Sequence, residues 1–495
     1  MISKPIMSKV LERFRPLFQP ASIAVLGASN THGKWGYIYT RNLRDSGFPG
    51  ALYPVNPKEN AVLGIKAFSR VAEIPGPVDL ALILLPPPLV EAAVKECLQK
   101  PVGAIVVITA GFGELGQEGR RLQEAFAAPA RAAGVPVIGP NCMGLVNVHA
   151  NLNGQLFYLK PLPGKISILS QSGNLGGNLI RKGMADQIGF AKFLSSGNEA
   201  VTTGEELLEY FAEDPETEVL LVYLEGVKDG RRFLEAARKM TATKPIVLLK
   251  GGYTAAGVKA CASHTGALAG EREVFEAMCR QAGVLRVDDV DDWYYLGTAL
   301  AGHPLPPGDR IGIVTEGGGL GVIAADACVA QGMQVPALPE EMIAAFNGLM
   351  PDRWSRGNPV DTAAGEGKIE ALEQMVRSDY FDGIIQLGIA GAGATLQALR
   401  AKPEGELSEA ERARLRRVEK RVAEELEEAK LLVRLSRETG KPILSADMDT
   451  TLSPVAGNPI LEYLSAQGIL VFRNSFQAAK IMGSLCRYAA DRRKV

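Results

Sequence analysis

The chain of 495 residues is longer than one ordinary hydrophobic core, and at ~150 residues per domain it predicts three domains. Its 54 Lys and Arg residues nearly cancel its 55 Asp and Glu residues, so it has no broad field that would attract nucleic acid or an anionic membrane. Neither partner is therefore expected, and any anion-binding site must be local.

The first segment, the cysteines and the histidines indicate the cellular compartment and whether a metal site is expected. The first segment lacks the apolar core of a secretory signal, and no run reaches the ~18 apolar residues of a membrane span. The six cysteines are scattered without a CxxC pair, which is typical of reduced intracellular thiols. The four histidines have no metal-ligand spacing. We expect a cytoplasmic protein without a metal site.

Residues 1–148 are predicted to form a first doubly wound α/β domain. Continuous apolar runs indicate strands buried on both faces, as in a parallel sheet, and helical segments separate them. The predicted strands are Ser22–Gly27, Leu80–Leu85 and Ala104–Ile108, and the predicted helices are Leu89–Gln99 and Arg121–Ala133.

Two further α/β domains are expected over residues 149–303 and 304–495. Strands are predicted at Ile166–Leu169, Val219–Leu224, Ile246–Leu249 and, after the Pro-rich linker Gly302–Gly308, at Ile311–Val314. Both domains open on a strand, a turn of small residues and a helix start. This similarity indicates either a distant duplication or the common start of nucleotide-type α/β domains, and both interpretations stay open.

A highly charged insertion, about residues 404–438, interrupts the third domain. Ser408 and Glu411 form a capping box and Gly440 fits a C-cap, so a helix is predicted. A single apolar stripe runs along it through Leu415, Val418, Val422, Leu426, Ala429 and Val433. The pattern favours a solvated helix packed by one stripe over a partner-binding helix.

The first strand ends in the glycine-containing turn Gly27–Gly36, where backbone N–H groups can approach a phosphate at a helix N-terminus. The spacing is not the dinucleotide GxGxxG, and Tyr53–Lys58 stands where an acidic residue would bind the ribose of NAD. The turn therefore indicates a nucleotide-like ligand other than NAD, or a tight turn without a ligand.

Three more turns follow predicted strands of the first domain: Pro86–Pro88, Ala110–Glu114 and Gly139–Gly144. All are expected at the carboxyl edge of the sheet, where open α/β sheets bind ligands. Cys142 lies in the third of these turns, and a packed or ligand-adjacent thiol is favoured over a nucleophile because no triad partner is evident.

Two helix starts can bind an oxyanion through N–H groups and the helix dipole. One is Ser170–Gly177 and the other Glu316–Gly321. Each is also compatible with ordinary helix capping. Together they offer two positive dipole ends that can converge on one phosphoryl group.

His264 lies in a loop of small residues, Ala262–Gly270, rather than on an apolar face. Imidazole is nucleophilic at neutral pH, so a histidine near helix N-termini can accept a phosphoryl group. A carboxylate is needed to fix its tautomer and to offset the developing positive charge. Glu225, at the end of the predicted strand Val219–Leu224, is the candidate.

At these residues the chain resembles the α subunit of ADP-forming acetyl-CoA synthetase, within the succinyl-CoA synthetase superfamily. The resemblance rests on motifs in family order, of which Ser263–Gly270 is the most specific: Gly139–Cys142, Ser170–Gly173, Ser195–Glu199, Tyr223–Gly226, Ser263–Gly270 and Gly357–Asp361. It implies a CoA-binding Rossmann-like domain followed by two flavodoxin-like domains.

The resemblance also implies roles for residues. His264 would be phosphorylated, with Glu225 as its partner. The helix starts would hold phosphate through Ser170, Ser172, Gly173, Gly317, Gly318 and Gly319. CoA would bind at Ser29, Lys34, Lys58, Pro86, Gly111, Asn141 and Cys142.

The implied reaction is acyl-CoA + phosphate + ADP ⇌ acid + CoA + ATP. Fused relatives carry an ATP-grasp domain, which needs roughly another 200 residues. We therefore expect a separate ATP-grasp β subunit, a hetero-oligomer, and binding of magnesium-ADP or ATP only through that subunit. The charged insertion is longer than the family's usual connection at that point. The alternative is a non-catalytic, regulatory CoA-binding protein of the same fold.

Overall fold

The computed structural model describes residues 8–254, 256–257, 259, 272–363, 367–448 and 454–493. The chain forms two compact units, Met1–Met184 with Gly189–Trp293, and Ala185–Ile188 with Tyr294–Val495. No helix in these ranges is both long and apolar enough to cross a membrane.

The first sheet of unit 1 has five parallel strands in the order β2-β1-β5-β6-β7. Its strands are β1 (Ser22–Leu26), β2 (Ala51–Val55), β5 (Leu80–Ile83), β6 (Ala104–Val107) and β7 (Val137–Ile138), and β3 (Ala61–Val62) pairs with β4 (Ile65–Lys66) beside it. The helices are α1 (Lys9–Phe18), α2 (Trp35–Asp45), α3 (Pro87–Gln99) and α4 (Gln117–Ala133). Every residue of β1, β5 and β6 is buried, as the continuous apolar runs predicted.

The second sheet of unit 1 has seven strands in the order β14-β13-β12-β10-β11-β8-β9. An antiparallel hairpin, β8 (Gly144–Asn147) and β9 (Leu152–Gln155), precedes β10 (Pro163–Ser170), β11 (Phe190–Ser195), β12 (Val219–Leu224), β13 (Ile246–Lys250) and β14 (Leu285–Val287). Helices α5 (Gly173–Ala185), α6 (Gly204–Glu213), α7 (Gly230–Thr241) and α8 (Arg272–Gln281) follow in chain order, and α9 (Val290–Gly302) contains the boundary between unit 1 and unit 2 at Tyr294. The parallel part has the flavodoxin-like order, second strand first, then 1-3-4-5.

Unit 2 contains a four-stranded parallel sheet in the order β16-β15-β17-β18. Its strands are β15 (Ile311–Thr315), β16 (Val360–Asp361), β17 (Gly383–Leu387) and β18 (Ile443–Ala446). Its helices are α10 (Gly318–Ala330), α11 (Glu340–Asn347), α12 (Lys368–Arg377), α13 (Gly391–Arg400), α14 (Glu409–Thr439), α15 (Pro459–Ala466) and α16 (Ser475–Arg492). A parallel bridge from Ala446 to Phe472 extends the sheet beyond β18, again in the flavodoxin-like order.

The charged insertion is helix α14, and its predicted ends are confirmed. Ser408 and Glu411 form the capping box, and Gly440 takes the left-handed conformation at φ +67°. The predicted stripe packs on the core through Val418, Val422, Ala429 and Val433. The helix is therefore solvated on its outer side and attached by one stripe.

Two carboxylates of α14 point toward the protein interior. They were not predicted, because the predicted stripe contains only apolar residues. Glu428 Oε1 lies 2.9 Å from Lys368 Nζ, and both side chains are buried. Lys368 Nζ also contacts Glu316 Oε1 at 2.9 Å and donates to the carbonyl of Gly388 at 2.7 Å. Glu425 accepts the N–H of Ala392 at the start of α13, 3.1 Å from Oε2. The insertion thus places one buried and one partly buried carboxylate at the carboxyl edge of the unit-2 sheet.

The stability of unit 2 is expected to depend on pH through Glu425. Burial raises the pKa of Glu425 from 4.5 to about 7. The native state therefore holds this proton more tightly than the unfolded chain, so the free energy of unfolding falls as pH rises through that interval. Glu425→Gln removes the charge and keeps an acceptor for Ala392. At about pH 8 the variant should be more stable than wild type by roughly 1–3 kcal/mol, and below about pH 4, where the carboxyl is protonated in both states, the two should be equal.

Thermal unfolding at the two pH values measures this difference. Glu424→Gln is the matched control, because the Glu424 side chain is 60% exposed on the same helix. It should give no pH-dependent difference. If the Glu425→Gln variant and wild type unfold at the same temperature at both pH values, burial of this carboxyl does not destabilise the protein.

Candidate functional site

The turn after β1 brings helix α2 close to the sheet. Gly27 has φ +90°, and a Cβ at Gly36 would lie 1.9 Å from the carbonyl oxygen of Gly27, so only glycine fits at position 36. Lys34 is the N-cap of α2, and within the described ranges no side chain caps that end. The N–H groups of the first turn of α2 are thus available to an anionic ligand.

The predicted CoA residues near α2 differ in exposure. Ser29 is buried, and its hydroxyl accepts the N–H of Thr31 at 3.0 Å, so it braces the turn. Lys34 and Lys58 are exposed, and Pro86 is the exposed N-cap of α3. All four follow the carboxyl ends of β1, β2 or β5, as the sequence predicted for these turns.

Gly111, Asn141 and Cys142 follow β6 and β7 at the same edge. Gly111 has φ +107° and Asn141 has φ +58°. Cys142 is buried, its thiol donates to the carbonyl of Val107 at 3.3 Å, and burial raises its pKa to about 12. This thiol is protonated at neutral pH, which favours the packed thiol over the nucleophile.

A carboxylate that the sequence did not single out organises these turns. Glu114 Oε1 accepts the N–H groups of Gly111 and Phe112 at 2.6 and 3.1 Å. Its Oε2 accepts Asn198 Nδ2 at 2.6 Å, and Asn198 Oδ1 accepts Asn141 Nδ2 at 3.3 Å. Burial opposes ionisation of Glu114, but these hydrogen bonds outweigh it and lower the pKa of the carboxyl.

Asn198 belongs to the loop after β11, so this cluster joins the two sheets of unit 1. The same loop contacts the turn after β7 through its backbone, where Asn198 N donates to the carbonyl of Pro140 at 2.9 Å. The predicted CoA turns are therefore fixed directly to the loops of the second sheet.

The start of α5 packs against the segment that follows the CoA turns. A Cβ at Gly173 would lie 2.5 Å from Met143 Cβ, and one at Gly177 would lie 2.9 Å from the ring of Phe157. Ser170 is fully buried, and its hydroxyl donates to the carbonyl of Ser172 at 2.6 Å. Ser172 Oγ accepts the N–H of Leu175 at 3.4 Å. Both hydroxyls thus take part in local bonds at the helix start.

Glu225 directly follows β12 and is 4% exposed. Tyr223 Oη donates to the Glu225 carboxylate at 3.4 Å, and the backbone N–H of Glu225 donates to Gln171 Oε1 at 2.5 Å. Lys250, at the end of β13, donates from Nζ to the carbonyl of Glu225 at 2.8 Å. The predicted partner His264 and its loop lie outside the described residues, so the pairing of His264 with Glu225 stays a prediction.

In unit 2 the glycine turn follows β15 as predicted. Gly317 is the N-cap of α10, no described side chain caps that end, and the Gly317 N–H is held by Thr315 Oγ1 at 3.1 Å. A Cβ at Gly317 or Gly319 would have no neighbour within 4 Å. At Gly318 it would lie 2.9 Å from Asp361 Oδ2, so a carboxylate stands beside the helix start.

Four residues of this site were not assigned roles from sequence: Glu114, Gln171, Glu199 and Lys250. Gln171 and Glu199 lie inside the quoted motifs, so the motif positions were a usable signal for them. Glu114 lies inside the quoted turn Ala110–Glu114, which placed it at the correct edge of the sheet without indicating its partners. Lys250 carries no such signal, because its contacts depend on which strands are neighbours.

Family models match three consecutive segments of the chain. They are a CoA binding domain at residues 21–148, a succinyl-CoA ligase-like flavodoxin domain at 163–300, and a ligase-CoA domain at 311–429. The acetate–CoA ligase (ADP-forming) II subunit alpha of Pyrococcus furiosus is 41% identical over 373 residues, which cover 75% of this chain and 81% of that relative. The chain belongs to the family of ADP-forming acetate–CoA ligase alpha subunits.

Other relatives agree with this membership. The subunit alpha of the ADP-forming acetate–CoA ligase I of Pyrococcus furiosus is 42% identical over 357 residues, covering 71% of this chain and 77% of that relative. The solved acetyl-coenzyme A synthetase 1 of Ca. Korarchaeum cryptofilum, in complex with phosphate and ADP, aligns with a TM-score of 0.81 at 30% identity over 97% of each chain. The expected fold class is thereby confirmed, and the family is one of acid–thiol ligases whose alpha subunits imply a partner subunit.

Proposed function

We propose that this alpha subunit binds CoA and carries a phosphorylated histidine, His264, in an ADP-forming acyl-CoA synthetase. The observation that supports this most directly is the contact inside unit 1. The turns proposed for CoA are hydrogen-bonded, through Glu114 and Asn198, to the loops of the sheet that carries Glu225. A thioester held at the first set of turns would lie near the helix start at Gly173.

CoA binds at the carboxyl edge of the first sheet in this proposal. The uncapped start of α2 offers N–H groups to a phosphate, and Lys34 and Lys58 are exposed cations beside it. Asn56, rather than a carboxylate, follows β2, and its Nδ2 donates to the carbonyl of Ala28 at 2.8 Å. The residue directly after β2 is thus not a carboxylate that could bind the ribose diol of NAD.

The proposed reaction has three steps. Phosphate attacks the thioester carbon, the C–S bond breaks, and CoA leaves with acyl phosphate formed. His264 then attacks the phosphorus, which releases the carboxylate and forms phosphohistidine. ADP bound to an ATP-grasp β subunit finally takes the phosphoryl group. Dividing one transfer into separate steps is covalent catalysis.

Phosphorylation of the chain tests this function against the alternative of a non-catalytic CoA-binding protein. The purified chain is incubated with an ATP-grasp β subunit, magnesium and γ-labelled ATP. Acid-labile, base-stable phosphate on this chain, absent when the β subunit is omitted, supports the enzyme. A chain that binds CoA and takes no label with the β subunit present would be the non-catalytic protein.

Lys58→Ala is expected to weaken CoA binding about fivefold and to leave dephospho-CoA binding unchanged. The reason is that an exposed cation near the ribose 3′-phosphate contributes ~1 kcal/mol. Titration calorimetry on both ligands measures the difference. Lys66→Ala is the control, because Lys66 is an exposed cation on the neighbouring strand β4. Equal losses for CoA and dephospho-CoA would place Lys58 away from the 3′-phosphate.

A further inference from the structure

Gln171 lies where three loops of the second sheet meet. Its Oε1 accepts the N–H groups of Glu225 and Gly226 at 2.5 and 3.2 Å. Its Nε2 donates to Glu199 Oε1 and to the carbonyl of Gly226, both at 3.0 Å. One amide therefore connects the loops after β10, β11 and β12.

Glu199 fixes the direction in which this amide points. An ionised carboxylate only accepts hydrogen bonds, so the amide nitrogen must face Glu199 and the amide oxygen must face the backbone of Glu225. Reversing the amide would put two acceptors together at Glu199 and two donors together at Glu225. The orientation of Gln171 is thus favoured both by the backbone of Glu225 and Gly226 and by Glu199 from a different loop.

The Glu199 carboxylate is itself held rigidly. It is 3% exposed, its backbone is left-handed at φ +54°, and Ser196 Oγ donates to its Oε1 at 2.8 Å. Its Oε2 accepts the N–H of Gly204, at the N-terminus of α6, at 3.1 Å. Burial raises the pKa of Glu199, while Lys228 and these hydrogen bonds favour the ionised form.

The charged groups around Glu199 explain how a buried carboxylate is tolerated. Lys228 Nζ donates to the carbonyls of Asn198 and Glu199. Glu205, on the first turn of α6, is the neighbouring carboxylate, and its Oε1 accepts the N–H groups of Lys228 and Asp229 at 3.0 and 3.2 Å. Glu205 is therefore engaged with the loop before α7, whereas Glu199 is engaged with Gln171.

Glu225 is the residue whose position this arrangement determines. Its N–H is held by Gln171, and its carbonyl is held by Lys250. With the peptide groups on both sides anchored, its carboxylate has only side-chain torsions left to adjust. A shift of Gln171 would move the main chain at Glu225 directly.

We propose that Gln171 and Glu199 form a positioning pair for Glu225, which sets the carboxylate at the distance that phosphorylation of His264 requires. This inference rests on the proposed function and deepens it. Neither residue touches a reacting atom. Glu199 orients the amide of Gln171, and Gln171 holds the backbone of Glu225.

Exchange of the two side chains tests the pair. Gln171→Glu alone places a carboxylate against Glu199. Glu199→Gln alone removes the charge and replaces one carboxylate oxygen by an NH2 group, which must then face either the Gln171 amide nitrogen or the N–H of Gly204. Each should slow labelling of the chain by γ-labelled ATP about 10²-fold, the cost of a misplacement of about 1 Å. The double variant Gln171→Glu with Glu199→Gln restores a donor facing an acceptor between the two side chains. It loses the bond to the carbonyl of Gly226 and requires Ser196 Oγ to accept instead of donate. It should recover to within about tenfold of wild type.

Three measurements separate positioning from general loss of structure. Each variant is assayed, with the β subunit, for kcat and KM of ATP-dependent labelling, for CoA affinity, and for arsenate-dependent cleavage of acyl-CoA. A positioning role lowers kcat and leaves the KM for ATP, CoA affinity and arsenolysis within about threefold of wild type, because those properties do not involve Glu225. Glu205→Gln is the matched control and should label at the wild-type rate.

The outcomes are distinguishable. If the wild-type chain takes no label, the proposed function has failed. If it takes label and both single variants do so within threefold of it, only the positioning pair is wrong. Should a single variant fail to fold, the double variant decides. A folded double variant that labels about 10²-fold below wild type would also overturn the pair.

Discussion

Replacing His264 with alanine is expected to abolish net ATP formation while CoA binding stays intact. In the proposed mechanism the phosphoryl group reaches ADP only through the His264 imidazole, so the loss should be complete within detection. In the same proposal CoA is held by turns of the first sheet, within residues 21–148, which match a CoA binding domain. Coupled ATP assays with the β subunit present, together with calorimetry for CoA, measure the two properties separately.

Cleavage of acyl-CoA in arsenate tests whether the attack on the thioester precedes phosphorylation of His264. Arsenate replaces phosphate in the attack on the thioester, and its acyl ester decays unaided, so cleavage of acyl-CoA in arsenate should persist in His264→Ala. His149→Ala is the matched control, because His149 is an exposed histidine bonded to the carbonyl of Gly164. ATP formation by His264→Ala at the wild-type rate would contradict the mechanism. Loss of arsenolysis together with ATP formation would contradict only the order of steps.

The fold was predictable from sequence where a structural rule involves only residues close in the chain, or where a strand is buried on both faces. The strand Ser22–Leu26 is buried at every position and apolar after Ser22, because a parallel strand covered on both faces has no solvent-exposed side. The ends of α14 were readable from Ser408, Glu411 and Gly440, since capping involves residues within one turn. The hairpin β8–β9 was not predicted, because two four-residue strands give too short a pattern.

The sequence predicted the turns that form the site, but it did not predict the hydrogen bonds that connect them. The order of strands brings Gln171 to Glu225 across 54 positions and Glu114 to Asn198 across 84. Periodicity carries no information about such pairs, since either partner alone resembles a solvated polar residue. Glu428 was hidden for the same reason, because α14 is rich in glutamates and only the packed structure distinguishes the one that meets Lys368.

The family resemblance supplied the roles that periodicity could not. Glu225 was already a candidate from its place at the end of a predicted strand, and the resemblance implied the same residue as the partner of His264. The structure adds that Glu225 is buried and anchored on both sides of its Cα. The role that a family motif implies for a residue and the geometry of that residue's neighbours are therefore separate kinds of information. The positioning pair Gln171 and Glu199 follows only from the second.

Glu225→Gln should reduce the rate of phosphorylation by about 10² to 10⁴, the range typical of general acid–base groups. The glutamine keeps the size and hydrogen-bonding capacity of the side chain and leaves the backbone bonds to Gln171 and Lys250 in place. It removes only the negative charge, which the mechanism needs when the imidazole becomes positive on accepting the phosphoryl group. Glu225→Asp keeps the charge but withdraws it by about one bond, so its rate should fall between wild type and Glu225→Gln.

Single-turnover labelling with γ-labelled ATP and the β subunit resolves this series. Glu209→Gln serves as the control, since Glu209 pairs with Arg232 at 2.9 Å on the outer side of α6 and has no bond to the Glu225 loop. Its labelling rate should match that of wild type. Because the deficit of Glu225→Gln arises from a charge, the variant should bind CoA normally and support arsenolysis at the wild-type rate. If Glu225→Gln labels as fast as wild type, the carboxylate has no electrostatic role, and the phosphohistidine must be stabilised by the helix dipoles alone.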